Sequence, residues 1–293
     1  MNTSQEQSIR KTVGVDWSIV AFFGLAYLIA WGMIPILSAI ARQSGVENWA
    51  ALSQMGETFN FGGISLSVPG WIVYLITRIQ DFAFTIAGVV MIAILQGRDG
   101  LVALGQRLMK WRVKWIWYLL AFLPFGLYFV ATILAGALSS FQFDLNGLAT
   151  SLISIESGFL VTLFLRGPMG EEPGLRGFAL PRLQSYMTPF KASLIIGLLW
   201  GGWHLPVLLQ RDVVSIIAFL LLAFGLSFIF TFLFNRSEGS LIPVLLFHAA
   251  QNSEEFFETF FPTLVGSDWE LISTLSLLVI GLVFGFIVWR NRN

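Results

Sequence analysis

Residues 213–234, VVSIIAFLLLAFGLSFIFTFLF, run for 22 positions without one ionisable side chain. At about 1.5 Å per helical residue, such a run reaches across the roughly 30 Å hydrocarbon core of a bilayer. Lipid offers no hydrogen-bond partners to exposed backbone, so the run reads as a transmembrane helix. Working outward, further apolar runs fall at 17–41, 70–96, 115–138, 153–178, 192–210, 239–262 and 270–289. The expectation is an all-α polytopic membrane protein of about eight transmembrane helices, with any active site buried within the membrane.

Composition supports that class. Of 293 residues, 56% are hydrophobic and 12% charged, with a mean hydropathy of +0.77; a soluble domain carries about a quarter charged residues. The apolar runs occupy nearly the whole length, so residues 1–293 are expected to form a single integral-membrane domain. The net charge of zero includes no basic block suited to nucleic acid. Cysteine is absent, which excludes disulfides, thiolate catalysis and Cys-ligated zinc and leaves His, carboxylate or hydroxyl chemistry. The first run follows Arg10 and Lys11 and is trailed by Ala39-Ile40-Ala41, as a secretory signal and its cleavage site would be. Its apolar region is too long for a signal peptide, and it reads as a retained anchor.

Basic residues give an orientation. Arg10 and Lys11 precede the first run, Arg98, Arg107, Lys110, Arg112 and Lys114 follow the second, and Arg182 and Lys191 follow the fourth. Arg236 follows the sixth and Arg290 and Arg292 the last, whereas the alternate loops hold only Arg42 and Arg211. The positive-inside rule then places both termini in the cytoplasm and requires an even number of spans. Residues 97–115 mix Arg and Lys with Leu101, Val102, Leu104, Leu108, Met109 and Trp111, the pattern of an amphipathic anchor on the inner leaflet. The polar stretch 43–69, with Gly56, Gly62 and Gly63, is the longest region outside the bilayer and a candidate lid.

His204 and His248 are the only histidines, and both lie in apolar runs, as do Glu171 and Glu172. Ionisable groups at membrane depth usually face a bundle interior or a water-filled cavity, so they form a functional shortlist together with Asn252. On a helix Glu171 and Glu172 point about 100° apart, while Glu172 and Arg176 share a face. Glu172 is therefore expected to pair with Arg176, in a role that is structural or supporting. Glu171 is left to face a cavity as a general base. Pro173 and Gly174 predict a kink beside the pair. His248 and Asn252, also four apart, form a possible donor pair, and His204 follows Trp200-Gly201-Gly202-Trp203, where small residues allow close helix approach. Counted from the cytoplasmic ends, His204 lies about 18 Å deep, His248 about 14 Å and Glu171 about 10 to 15 Å. That level predicts a site opening to cytoplasmic water or the inner leaflet. Arg78 with Asp81 and Glu156 with Arg166 read as structural pairs, and Glu254, Glu255 and Glu258 as the outer end of the seventh span.

Three segments in order carry a resemblance: Gly170-Glu171-Glu172-Pro173-Gly174-Leu175-Arg176 continuing to Gln184, then Trp200 to His204, then His248 to Asn252. Together they resemble the motifs of the CPBP intramembrane proteases, which include type II CAAX prenyl endopeptidases and bacterial Abi or bacteriocin-processing proteins. Residues 150–262 form the motif-bearing core, and Leu175 stands where many bacterial members carry an aromatic residue. The resemblance implies hydrolysis of a peptide bond in a membrane-associated substrate, prenylated or leader-bearing. Glu171 and His204 would activate a water, and His248 and Asn252 would stabilise the oxyanion, with Glu172 and Arg176 in support. Zinc held by Glu171, His204 and His248 is the alternative to a metal-free mechanism; the sequence lacks His-Glu-x-x-His, and the metal-free form is preferred. Two other classes compete: a non-catalytic scaffold or immunity protein of the same fold, and a proton-coupled carrier, which would favour an inverted repeat that is not evident.

Overall fold

The computed structural model describes residues 16–44, 56–61, 64–138, 158–253 and 269–290. A long helix α1 (Trp17–Ser44) is followed by an antiparallel hairpin, β1 (Gly56–Phe61) with β2 (Ile64–Pro69), which pairs Gly56 with Pro69 and Phe61 with Ile64. The rest of the described chain is helical: α2 (Gly70–Asp81), α3 (Ala83–Leu108), α4 (Trp115–Ala121), α5 (Leu123–Leu138), α6 (158–165) and α7 (Gly167–Gly174). A π turn (Leu175–Ala179) leads into α8 (Leu180–Gln184). Then come α9 (Pro189–Trp203), α10 (Leu205–Leu208), α11 (Val213–Arg236), α12 (Ile242–Gln251) and α13 (Trp269–Arg290).

The helical class holds, apart from the hairpin, but the expected eight spans do not. Among the described residues three helices are long and apolar enough to cross a membrane: α1 over Trp17–Ala39, α3 and α11. The pair α4 and α5, bent by 41°, makes a fourth if counted as one span. The chain is a polytopic membrane protein with fewer full-length helices than hydropathy predicts. The reason is that hydropathy averages across breaks. The run 70–96 divides at Phe82, and the run 153–178 is cut where Arg166 adopts an extended backbone (φ −129°, ψ −156°). The run 192–210 becomes α9 of 15 residues and α10 of four, turning at His204. In the run 239–262, α12 has only ten residues, and Thr274–Arg290 also falls among the shorter apolar helices.

Within lipid, helices gain little from burying apolar surface, so close packing and interhelical hydrogen bonds hold them together. Helix α7 sits against α3 with backbones nearly touching. A Cβ on Gly88 would lie 2.7 Å from the Gly174 Cα, and one on Gly174 would run into the Phe84 carbonyl. Thr85 Oγ1 donates to Met169 O at 2.8 Å across the same seam. Between α9 and α11, Ser193 Oγ lies 2.8 Å from Thr231 Oγ1, and Ser227 Oγ donates to Ser193 O at 2.8 Å. Helix α1 braces the end of α9, with Tyr27 donating to Leu199 O at 2.5 Å and Trp31 Nε1 to Trp203 O at 3.0 Å.

One end of the bundle gathers the cations. Gly97, at φ +62°, turns α3 into a segment that leaves Leu101, Val102, Met109 and Trp111 exposed beside Arg107, Lys110 and Arg112, consistent with an interfacial stretch. Leu241 N donates to Arg107 O at 3.1 Å, Lys110 Nζ to Glu238 O at 2.9 Å, and Arg182 Nε to Asp16 Oδ2 at 2.9 Å.

Candidate active site

Helix α7 is short and interrupted for reasons visible in its residues. Pro168 sits in the first turn, where a missing N–H leaves no hydrogen bond unmade. Pro173 lacks the N–H that would continue the ladder, and the wider π turn at Leu175–Ala179 follows at once. This irregular backbone stands where the Pro173-Gly174 pair predicted a kink.

Glu172 is fully buried, and so is Arg176 one turn later. Arg176 Nη1 donates to Glu172 Oε1 at 3.1 Å and lies 3.0 Å from Oε2, so the pair expected from the i, i+4 spacing is formed. Arg176 Nη2 donates to Ser227 Oγ at 3.3 Å, and the guanidinium stands 4.8 Å from the Phe230 ring centre. The same Oε1 of Glu172 lies 2.8 Å from His248 Nδ1, and the imidazole stacks on Phe230 at 5.1 Å. Glu172 thus ties α7 to α12 while Arg176 ties it to α11.

Glu171 points elsewhere. Its Oε2 accepts from Trp200 Nε1 at 2.5 Å. Its Oε1 borders a small space beside Gly167: a Cβ built on that glycine would lie 3.1 Å from Glu171 Oε1, 3.2 Å from Asn252 Nδ2 and 3.3 Å from His248 Nε2. Three functional atoms from two helix ends therefore surround one point. His204 completes the wall from the end of α9, its Nδ1 lying 2.9 Å from Trp200 O. A carbonyl only accepts, so Nδ1 carries a hydrogen and Nε2 of the neutral ring is left as a lone pair. Glu171, Trp200, His204, Phe219, His248 and Asn252 line a cavity of 90 Å³, room for a few waters.

Residues 154–253 match the Rce1-like family of type II CAAX prenyl endopeptidases. The matched stretch contains Glu171, Glu172, Arg176, His204, His248 and Asn252. The chain is also similar to "CAAX prenyl protease 2" of Methanococcus maripaludis, 29% identical over 136 residues, which is 43% of this chain and 45% of that protein. The chain therefore spans less than half the length of this curated relative.

The matched stretch brings the five shortlisted residues and Arg176 together, with Glu171, His204, His248 and Asn252 around the cavity and Glu172 with Arg176 behind it. The group of donor atoms close enough to share a metal ion differs from the trio named for the zinc alternative. Among the described residues, donor atoms of Glu171, Glu172 and His248 lie within 4.8 Å of one another, and His204 is not part of that group. Sequence reasoning missed Gly167 and passed over Trp200 as a neighbour of His204. Trp200 carried a signal, since it lies four residues before His204 and must share its face. Arg78 and Asp81 form the expected pair at 2.7 Å. Glu156, Glu254, Glu255 and Glu258, and Arg10 and Lys11, lie outside the described residues.

Proposed function

We propose that the chain is an intramembrane endopeptidase that hydrolyses a peptide bond of a membrane-associated substrate by a glutamate-dependent, metal-free route. The observation that carries this reading is the convergence of Glu171 Oε1, His248 Nε2 and Asn252 Nδ2 on the space left by Gly167. A water in that space gives its proton to Glu171 while its oxygen bonds to the scissile carbonyl carbon and the carbonyl electron pair moves onto oxygen. Trp200 Nε1 holds the other Glu171 oxygen and so fixes which one faces the water. The Nε2 lone pair of His204 accepts the water's second hydrogen and orients it. Asn252 Nδ2–H donates to the oxyanion, joined by His248 Nε2–H in its doubly protonated form; Glu172 receives Nδ1–H in either form. Collapse breaks the C–N bond, and Glu171 returns its proton to the leaving amine. Removing one oxyanion donor from such a site costs about 2.7 to 4 kcal/mol of barrier.

The donor chemistry supports the metal-free form. Glu172 is already neutralised by Arg176 at 3.0 Å, and a divalent ion beside it would face that guanidinium. His248 Nδ1 is committed to Glu172, and His204 lies outside the tight group.

Purified protein in lipid nanodiscs, offered a prenylated C-terminal peptide and a leader-type membrane peptide, tests the reading and separates the two substrate classes. Glu171→Gln, His204→Ala and His248→Ala should each abolish cleavage while the protein still folds, and chelation should leave the wild-type rate unchanged. Unimpaired cleavage by the three variants ends the assignment of roles; stoichiometric zinc whose removal abolishes activity ends the metal-free mechanism.

A further inference from the structure

The small cavity adjoins a larger one. Beyond His204 lies a cavity of 540 Å³ that shares His204, Phe219, Leu222, Gln251 and Asn252 with it and reaches Arg211 and Ser215. Those last two residues flank the turn between α10 and α11, where Asp212 accepts from Ser215 N at 3.0 Å and starts α11. Arg211 stands exposed at the mouth.

This mouth is at the opposite end of the bundle from the cations. Helix α11 runs 24 residues, about 36 Å, from the Asp212 turn to Arg236. Phe219, whose ring lies 4.8 Å from that of His204, is about 10 Å from the mouth and about 25 Å from Arg236. At the Arg236 end, Lys110 holds Glu238, Arg182 holds Asp16, and Lys191 begins α9. The way from the site toward that end is filled by Arg176, Phe230, Leu233 and Phe247, all fully buried. Among the described residues, the cations toward the mouth end are Arg211, Arg78, which is paired with Asp81, and Arg166, which acts on the same carboxylate.

Loops rich in Arg and Lys face the cytoplasm. From the cavity's direction and this charge asymmetry we infer that the site opens on the extracytoplasmic face and receives a peptide segment arriving from that side. The depth count along each helix, which pointed to a cytoplasmic opening, gave the level of the site but not which of its walls is missing. The distance from mouth to His204 accommodates about three residues of extended chain, between apolar walls that include Val207, Leu208 and Ala218. That the guest is a substrate rests on the proteolytic reading above; the direction of opening does not.

The chain has no cysteine, so single cysteines report accessibility directly. Ser215→Cys places a thiol in the larger cavity, and Ser185→Cys places one on the cation-rich face, where Ser185 is exposed. Both are treated with a membrane-impermeant maleimide in intact spheroplasts and in inverted membrane vesicles. Ser215→Cys should react at least tenfold faster in spheroplasts, and Ser185→Cys at least tenfold faster in inverted vesicles. Reaction of both from one side, the reverse pattern, or a Ser215→Cys that reacts only after denaturation overturns the inference. The pattern should persist with Glu171→Gln added, because it does not depend on turnover. Failed proteolysis with the labelling pattern intact therefore strikes the protease reading alone.

Discussion

Gly167→Ala should separate activity from stability. The glycine has ordinary negative φ, so its backbone accepts an alanine without strain. Removing glycine from a helical turn favours folding by up to about 1 kcal/mol. Against this, the added methyl would stand 3.1 to 3.3 Å from Glu171 Oε1, Asn252 Nδ2 and His248 Nε2, and crowding of that kind costs about 1 to 3 kcal/mol. The net is a loss of about 0 to 2 kcal/mol, so the midpoint of thermal unfolding should fall by no more than several degrees. Catalysis has no such compensation, because the methyl takes the place of the attacking water. Displacing a reacting atom by about 1 Å costs about 100-fold in rate, or about 2.7 kcal/mol. Initial cleavage rates in nanodiscs, set beside unfolding curves of the same preparations, give both numbers. Gly105→Ala is the control, since nothing lies within 4 Å of its added Cβ, and it should leave the rate unchanged. A Gly167→Ala enzyme that folds and turns over within about threefold of wild type would show that no reacting group uses that space.

Arg176→Met leaves Glu172 buried without its cation, which should destabilise the protein by about 3 to 5 kcal/mol in thermal unfolding in micelles. The double variant with Glu172→Gln should recover part of that loss, and a single variant within 1 kcal/mol of wild type would contradict the buried pair. Asp16 gives a pH signature outside the membrane-spanning helices. Burial pushes its carboxyl up, but hydrogen bonds from Ser18 and Arg182 outweigh that and hold it below the usual carboxylate range. A lowered folded-state value means the clasp stabilises fully above about pH 4 and is lost as pH falls through that lowered value. The pair is partly exposed, so its worth is at most about 1 kcal/mol at low salt. Asp16→Asn should be less stable than wild type at pH 7, and the gap should shrink as pH falls below about 4; a gap that stays constant down to the acid limit of folding would show that the clasp does not titrate.

The chemistry of the site was more legible than the course of the chain. Glu172 with Arg176 and His248 with Asn252 are four residues apart, and one helical turn brings such residues to one face whatever the surrounding fold. The bond from Trp200 to Glu171 joins residues 29 apart in sequence, and no local spacing encodes it. Gly167 was invisible for another reason: its contribution is the absence of a side chain. Span number failed at Phe82, Phe122, Arg166 and His204, where apolar sequence continues but the helix does not. Two of these four are phenylalanines, which hydropathy counts as apolar, and a single arginine or histidine barely moves a window average.

The shortness of α12 bears on how the protein reaches its membrane. Ten residues rise about 15 Å, half a bilayer, so this helix has no stable transmembrane state of its own. The stretch bearing Glu171, Glu172 and Arg176 is equally unfit to partition alone, at about 2.5 to 3.5 kcal/mol for each charged side chain at mid-depth. Arg176 finds Ser227 and Phe230 only once α11 has been synthesised, and Glu172 finds His248 only after that. Insertion is therefore a late, collective event, and a nascent chain stalled before residue 248 presents unmatched charge to the insertion machinery and to quality-control proteases.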